Sequence, residues 1–353
     1  MQKIDEYLLE AIDLKSSDMH ITVGVPPIVR INGQIRPLEG HAALTPDDTR
    51  ELALSMLTDP QRDVLDKNGQ VDFSYVIPKT GRFRVNVYRQ RRSYCAAIRL
   101  LVQEMPTIDS LNLPPILKEL SLRPRGMILV TGPTGSGKST TLAAMVDYIN
   151  THSRCHVLTI EDPIEYLHHH KSSIVDQREV GDDTVSFSGA LRSALREDPD
   201  VILVGEMRDL ETISTAISAA ETGHLVLSTL HTIGAAETVD RIIDMFPPYQ
   251  QQQVRVQLAS VLQAVVTQQL IVNASHSGRC AAFEIMAVND AIRNLIRESK
   301  AHLITSALQT GIKSGMMPMD YSLSRLVKAN KITVAEGYAH CMDAENFRRY
   351  LSA

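Results

Sequence analysis

Gly132-Pro133-Thr134-Gly135-Ser136-Gly137-Lys138-Ser139 decides the fold, because it fits the pattern G-x-x-x-x-G-K-[ST] in the setting that pattern requires. Met127-Ile128-Leu129-Val130 before it is a short, wholly apolar strand, and Thr140–Asn150 after it reads as a helix. Glycines at 132, 135 and 137 let the backbone turn tightly, so that its N–H groups converge on phosphate oxygens. The N-terminus of the next helix adds a favourable dipole. Lys138 sets a positive charge against β and γ phosphates, and Ser139 offers a hydroxyl to Mg²⁺. The expected cofactors are ATP and Mg²⁺. Their expected nucleotide-binding residues are Gly132, Pro133, Thr134, Gly135, Ser136, Gly137, Lys138, Ser139 and Thr140.

Working outward, Val157–Ile160, broken by Thr159, and Val201–Val204 repeat the apolar strand, and helical segments separate them. Such strands are buried on both faces, as in a parallel sheet covered by helices, so the expected class is α/β. Two acidic segments follow these strands. Thr159-Ile160-Glu161-Asp162-Pro163-Ile164-Glu165 puts carboxylates at the sheet's carboxyl edge, where one of them can orient or deprotonate an attacking water. Asp198–Glu206 resembles a Walker B strand in which Gly205-Glu206 replaces the usual terminal aspartate. Glu206 is therefore the candidate partner of Mg²⁺ or of its water, with Ser139 as the other metal ligand. Gly223–Thr232 carries His224 and His231 on either side of another apolar strand, and both are candidate sensors of the γ-phosphate. His168-His169-His170 reads as an exposed loop.

Residues 1–103 have a different texture and read as a small α+β domain. Ile4, Leu8, Ala11 and Ile12 follow helical spacing, and strands are expected near Met19–Val23, Ile28–Ile31 and Asp72–Val76. Asn32-Gly33 is a hairpin turn. Thr45 caps a helix whose first residue is Pro46. Phe83, Val85 and Val87 alternate with Arg82, Arg84, Asn86 and Tyr88 in a half-buried strand that pairs with Tyr94–Val102. A connector at 104–124, marked by Pro106, Pro114, Pro115 and Pro124, leads into the second domain at 125–353, whose region after about 285 is mostly helical.

The 353 residues suit two domains, and 44% hydrophobic with 22% charged residues is the balance of an ordinary soluble chain. No secretory leader or membrane-length apolar run is read, and the four scattered cysteines suit reduced thiols, so a cytoplasmic location is expected. A net charge of -5 argues against nucleic acid as the main partner.

Taken in order, these segments resemble the secretion ATPases of type II secretion and type IV pilus systems: a Walker A loop at Gly132–Thr140, an aspartate box at Thr159–Tyr166, a Walker B at Asp198–Glu206 and a histidine box at Gly223–Thr232. Ala291–Glu298 is similar to the motif of the retraction (PilT-type) branch. The resemblance implies a PAS-like first domain, a RecA-like second domain and a homohexameric ring that binds each ATP between the two. It implies that Glu165 is the catalytic glutamate, with Glu161 and Asp162 in support. It also implies arginines from the first domain on the phosphates: Arg84 and Arg99 match best, with Arg82, Arg89, Arg91 and Arg92 as rivals. A positioned arginine contributes about 10³-fold or more to phosphoryl transfer. The implied work is pilus retraction, with pilin depolymerisation and twitching motility. It would be done at the inner-membrane base of the pilus on a PilC-like platform protein, with a PilU-like paralogue as possible companion and no insertion into the membrane. The alternatives are a PilU-like accessory ATPase and a nucleic-acid translocase on the same core.

Overall fold

The computed structural model describes residues 2–31, 33–78, 80–101, 105–276 and 278–352. The chain divides into two compact units, Met1–Glu104 with Glu165–Leu167, and Met105–Ile164 with His168–Ala353.

In the first unit, α1 (Lys3–Asp13), β1 (Asp18–Ile21), β2 (Ile28–Ile31), β3 (Gln34–Pro37), α2 (Pro46–Ser55), α3 (Asp59–Asn68), β4 (Gln70–Ile77), β5 (Gly81–Gln90) and β6 (Ser93–Leu100) follow in order. The strands form an antiparallel sheet ordered β3-β2-β1-β6-β5-β4 among the described residues. The alternation expected in β5 holds: Phe83, Val85 and Val87 are buried, and they pack with Ile4 and Leu8 of α1 and Leu52 of α2. The opposite face of the sheet is thereby left to polar side chains. Thr45 caps α2 as expected, its Oγ1 accepting from Asp48 N at 3.2 Å. Gly33 has φ +81, while Asn32 of the expected hairpin turn lies outside the described residues.

The second unit runs α4 (Ile116–Ser121), β7 (Gly126–Thr131), α5 (Lys138–His152), β8 (His156–Glu161), β9 (Ile174–Glu179), α6 (Phe187–Ala194), β10 (Val201–Val204), α7 (Leu210–Glu221), β11 (Leu225–Leu230), α8 (Ala235–Asp244), α9 (Pro248–Val261), β12 (Leu262–Val272) and β13 (Arg279–Ala287). It ends in α10 (Asp290–Arg297), α11 (Ile304–Thr310), α12 (Met319–Lys328), α13 (Val334–His340) and α14 (Ala344–Ser352), with short 3₁₀ turns between some of them. Its sheet is ordered β13-β12-β7-β11-β10-β8-β9, parallel except for the edge strand β13. Side chains of β7 alternate between two cores. Met127 and Leu129 pack with α6, α7, α8 and α9, whereas Ile128 and Val130 pack with α4 and α5. A strand that serves two cores must be apolar throughout, which is why β7, β10 and most of β8 read as unbroken runs.

Residues 105–124, expected as a connector, do not run free. Ile108, Leu113, Leu117 and Leu120 are buried in the same core as α5. The apolar residues between the prolines pack into that core. No helix among the described residues is long and apolar enough to cross a membrane.

One buried acid ties the edge strand to the sheet's carboxyl end. Glu284 of β13 accepts from the Ala235 N–H at the start of α8, at 2.8 Å. Burial raises its carboxyl to about 6, from an ordinary 4.5. A raised carboxyl favours the folded state below pH 4.5, and that contribution is lost as pH rises through 6. Relative to Glu284→Gln, the native chain should therefore lose about 2 kcal/mol of stability between pH 4.5 and pH 7. Urea melts at the two pH values measure this, and an unchanged difference between the two proteins would contradict it. Leu129→Ala, at a fully buried site, should cost about 2–5 kcal/mol in the same assay.

Candidate active site

Parallel register carries several strand ends to one edge. Thr131 lies opposite both Leu230 and Thr267, Val204 opposite Ser228 and Ile160, and Glu161 opposite Glu179. Residues 132–137, 161–164, 205–207 and 231–234 therefore all leave the sheet at its carboxyl edge, where open α/β sheets bind ligands. Because β11 lies between β7 and β10, the glycine loop and Glu206 start about 10 Å apart.

The loop's shape follows from its glycines. Gly132, Gly135 and Gly137 have φ of +137, +78 and +89, a region that side chains rarely adopt. A Cβ at 132 would stand 2.2 Å from the Gln268 carbonyl oxygen, and one at 137 would stand 2.8 Å from Gln268 Nε2. Lys138 is buried, and its Nζ donates to the carbonyls of Gly132 at 2.9 Å and Pro133 at 3.0 Å. Ser136 Oγ is buried without a hydrogen-bond partner among the described residues. Pro133, Thr134 and Ser139 are exposed, and Thr140 is half-buried. Left-handed glycines, the first turn of α5, a buried ammonium and an unpartnered hydroxyl together suit a many-oxygened anion such as a phosphate chain.

Polar pairs beneath the loop were not anticipated from sequence. Thr141 Oγ1 of α5 donates to Gln268 Oε1 of β12 at 2.6 Å, and the hydroxyls of Thr131 and Thr267 meet at 2.8 Å. All four residues are buried. The available signal was Thr267-Gln268-Gln269, a polar break inside the otherwise apolar Ala264–Val272.

Glu206 lies just past β10 with its carboxylate mostly covered. Arg208 Nε stands 2.7 Å from Oε1, and His231 Nε2 stands 3.9 Å from Oε2. The segment before it is stitched to both neighbours: Gly205 N donates to the Ile160 carbonyl at 2.8 Å, and Thr229 Oγ1 donates to the Gly205 carbonyl at 2.6 Å. Glu161 ends β8, and its Oε1 accepts from Thr159 Oγ1 at 2.7 Å and Gln177 Nε2 at 3.1 Å. Asp162 and Glu165 are exposed.

His224 does not join His231. It precedes β11, where its Nδ1 lies 2.9 Å from the Ala219 carbonyl, and six strand residues put it about 20 Å away at the amino edge. The expectation that both histidines of one chain face the same phosphate is corrected: a histidine at each end of a strand lies at opposite edges of the sheet. His168 also departs from the exposed loop expected of the triplet. It is largely covered, its Nδ1 is buried without a hydrogen-bond partner among the described residues, and burial lowers the imidazole to about 4. His169 and His170 are exposed.

On the polar face of the first unit's sheet, Arg84 and Arg99 are direct cross-strand partners on β5 and β6. They share a groove with Asp18, His20, Asp72 and Asn86. Asp18 accepts from Arg99 Nε at 3.2 Å and stands 3.7 Å from Arg30 Nε. Like charges directly opposite repel, so this pair is suited to an anion. Arg82 donates to Ser74 Oγ at 3.0 Å, Arg89 pairs with Asp66, and Arg91 and Arg92 form the β5–β6 turn with φ of +48 and +67.

Comparison with known proteins agrees with this architecture. The family model described as type II/IV secretion system protein matches residues 1–335. A twitching motility protein of Neisseria gonorrhoeae is 48% identical over 91% of this chain and 85% of its own length. The type IV pilus retraction ATPase PilT of Pseudomonas aeruginosa is 47% identical over 98% of this chain and 99% of its own. A crystal structure of the pilus retraction motor PilT with bound ADP superposes with a TM-score of 0.93 at 50% identity, covering 99% of each chain. The fold is thus a RecA-like P-loop domain after a PAS-like α+β unit, and the chain belongs to the type II/IV secretion system protein family.

Proposed function

We propose that this chain is a hexameric ATPase whose hydrolysis of MgATP retracts a type IV pilus. The observation that carries the reading is the glycine cradle of 132–137 on a parallel sheet edge that also bears Glu206 and residues 161–164 of the aspartate box. Nearly full-length likeness to a retraction ATPase supplies the rest.

Backbone N–H groups of the loop and the first turn of α5 bind the phosphates, and Lys138 adds its charge at the β and γ positions. Ser139 and Glu206 would hold Mg²⁺, which would neutralise charge on the phosphate oxygens. Glu165 orients the attacking water and takes its proton, while Glu161, with two hydrogen bonds already accepted, supports the turn. His231, within reach of Glu206, senses the terminal phosphate. Arg84 and Arg99 supply guanidinium forks for the same phosphate, and their fixed geometry suits bidentate binding. Asp18 occupies Arg99 until a stronger anion replaces it. The released work acts on a PilC-like inner-membrane platform protein from the cytoplasmic side, and a PilU-like paralogue can share the task.

Purified Glu165→Gln should bind ATP as the native chain does and hydrolyse it about 10²–10⁴-fold more slowly. Full turnover would overturn the assignment. Lys138→Ala should lose nucleotide affinity itself, read by equilibrium binding of a fluorescent ATP analogue. In a deletion strain, imaging of labelled pili should show filaments that persist and do not retract. Absent pili would instead favour an assembly role, and normal retraction would contradict the proposal.

A further inference from the structure

The parallel pair β8 and β9 poses a problem that the aspartate box must solve. Glu161 ends β8 opposite Glu179, and Ile174 starts β9 opposite His156. The connection 162–173 must therefore return across the whole sheet, and it does so without a helix, where parallel strands are usually joined by one. A long connection with no secondary structure has to be held by side chains if a residue on it is to keep its place.

We infer that Gln177 and Glu179 of β9 are positioning residues that clamp the turn carrying Glu165. Gln177 spans the two ends of that turn: its Nε2 donates to Glu161 Oε1 at 3.1 Å, and its Oε1 accepts from the His168 N–H at 2.7 Å. Glu179, itself buried, accepts from the Ile164 N–H at 2.8 Å. The backbone is thus held immediately before Glu165 and three residues after it. The remainder of the connection is fastened to α5, the helix that begins at Lys138. Fully buried Asn150 donates to the His169 carbonyl at 2.7 Å and accepts from the Lys171 N–H at 3.0 Å. Lys171 Nζ reaches Asp147 at 2.6 Å. One helix therefore presents the phosphate loop at its start and secures the box connection near its end.

The inference rests on Glu165 being the base. A base must be held within hydrogen-bond reach of its water, and a displacement of about 1 Å can cost 10²-fold in rate. Gln177→Met keeps the length of the side chain and removes both hydrogen bonds. It should lower kcat about 10- to 100-fold while leaving the KM for ATP and nucleotide affinity unchanged, even though the two lost bonds lower the melting temperature. Gln177→Glu gives a second readout. It still accepts from His168 N but sets a carboxylate against Glu161, with Glu179 along the same strand face and Asp147 and Lys171 around His168. Two such carboxylates repel when both are charged and share a proton when pH is low enough, so its kcat should rise relative to that of Gln177→Met as pH is lowered. Asp176→Asn, on the other face of β9, serves as control and should keep native kcat.

These variants are assayed beside Glu165→Gln. Loss of turnover in Glu165→Gln with native kcat in both Gln177 variants overturns the clamp alone. Full turnover in Glu165→Gln overturns the reading beneath it. A fall in nucleotide affinity that matches the fall in kcat assigns Gln177 a merely structural role and also overturns the inference.

Discussion

Everything at the site depends on how closely the backbone of Gly132 approaches β12. A single methyl group there would stand 2.2 Å from the Gln268 carbonyl oxygen. That approach lets β12 serve as the wall against which the phosphate loop is folded, and Thr131–Thr267 and Thr141–Gln268 fix it from beneath with buried hydrogen bonds. Buried polar pairs are costly to leave half-made, so β7, α5 and β12 hold together as one support. Lys138 is delivered by the same turn, and its buried ammonium already rests on loop carbonyls.

The sheet then sets where the other groups stand. With β11 between β7 and β10, Glu206 and His231 come from adjacent strand ends and face one another at 3.9 Å. The aspartate box comes from β8, one strand farther, and is the only one of these segments on a long unstructured return. Its need for lateral support explains why so many side-chain to backbone bonds gather between 164 and 175. In the first unit, a polar sheet face displays two arginines side by side, with Asp18 as local counter-charge.

Much of this was legible because simple patterns coincide with simple environments. β7 and β10 serve two cores and read as unbroken apolar runs, β5 serves one and alternates, and the phosphate loop has its own signature. The long β12–β13 hairpin escaped because Thr267, Gln268 and Glu284 are buried polar residues within its strands, placed there to support the loop and α8. Prolines made residues 105–124 look like a connector although four apolar side chains bury there. His224 and His231 looked equivalent in a string of letters, and only the direction of β11 separates them. Gln177 and Asn150 carry no motif, since a side chain that accepts from one backbone N–H leaves no pattern in sequence.

The central claim is that the loop ending in Lys138 and Ser139 grips the terminal phosphates while carboxylates from neighbouring strand ends ready a water. A crystal structure of the chain with Mg²⁺ and a non-hydrolysable ATP analogue tests it most directly. The account predicts Lys138 Nζ on the β and γ phosphate oxygens, the metal on Ser139 with Glu206 at its shell, and a water between the γ-phosphate and Glu165. Finding Glu165 and Glu206 both remote from the terminal phosphate and its metal would contradict it.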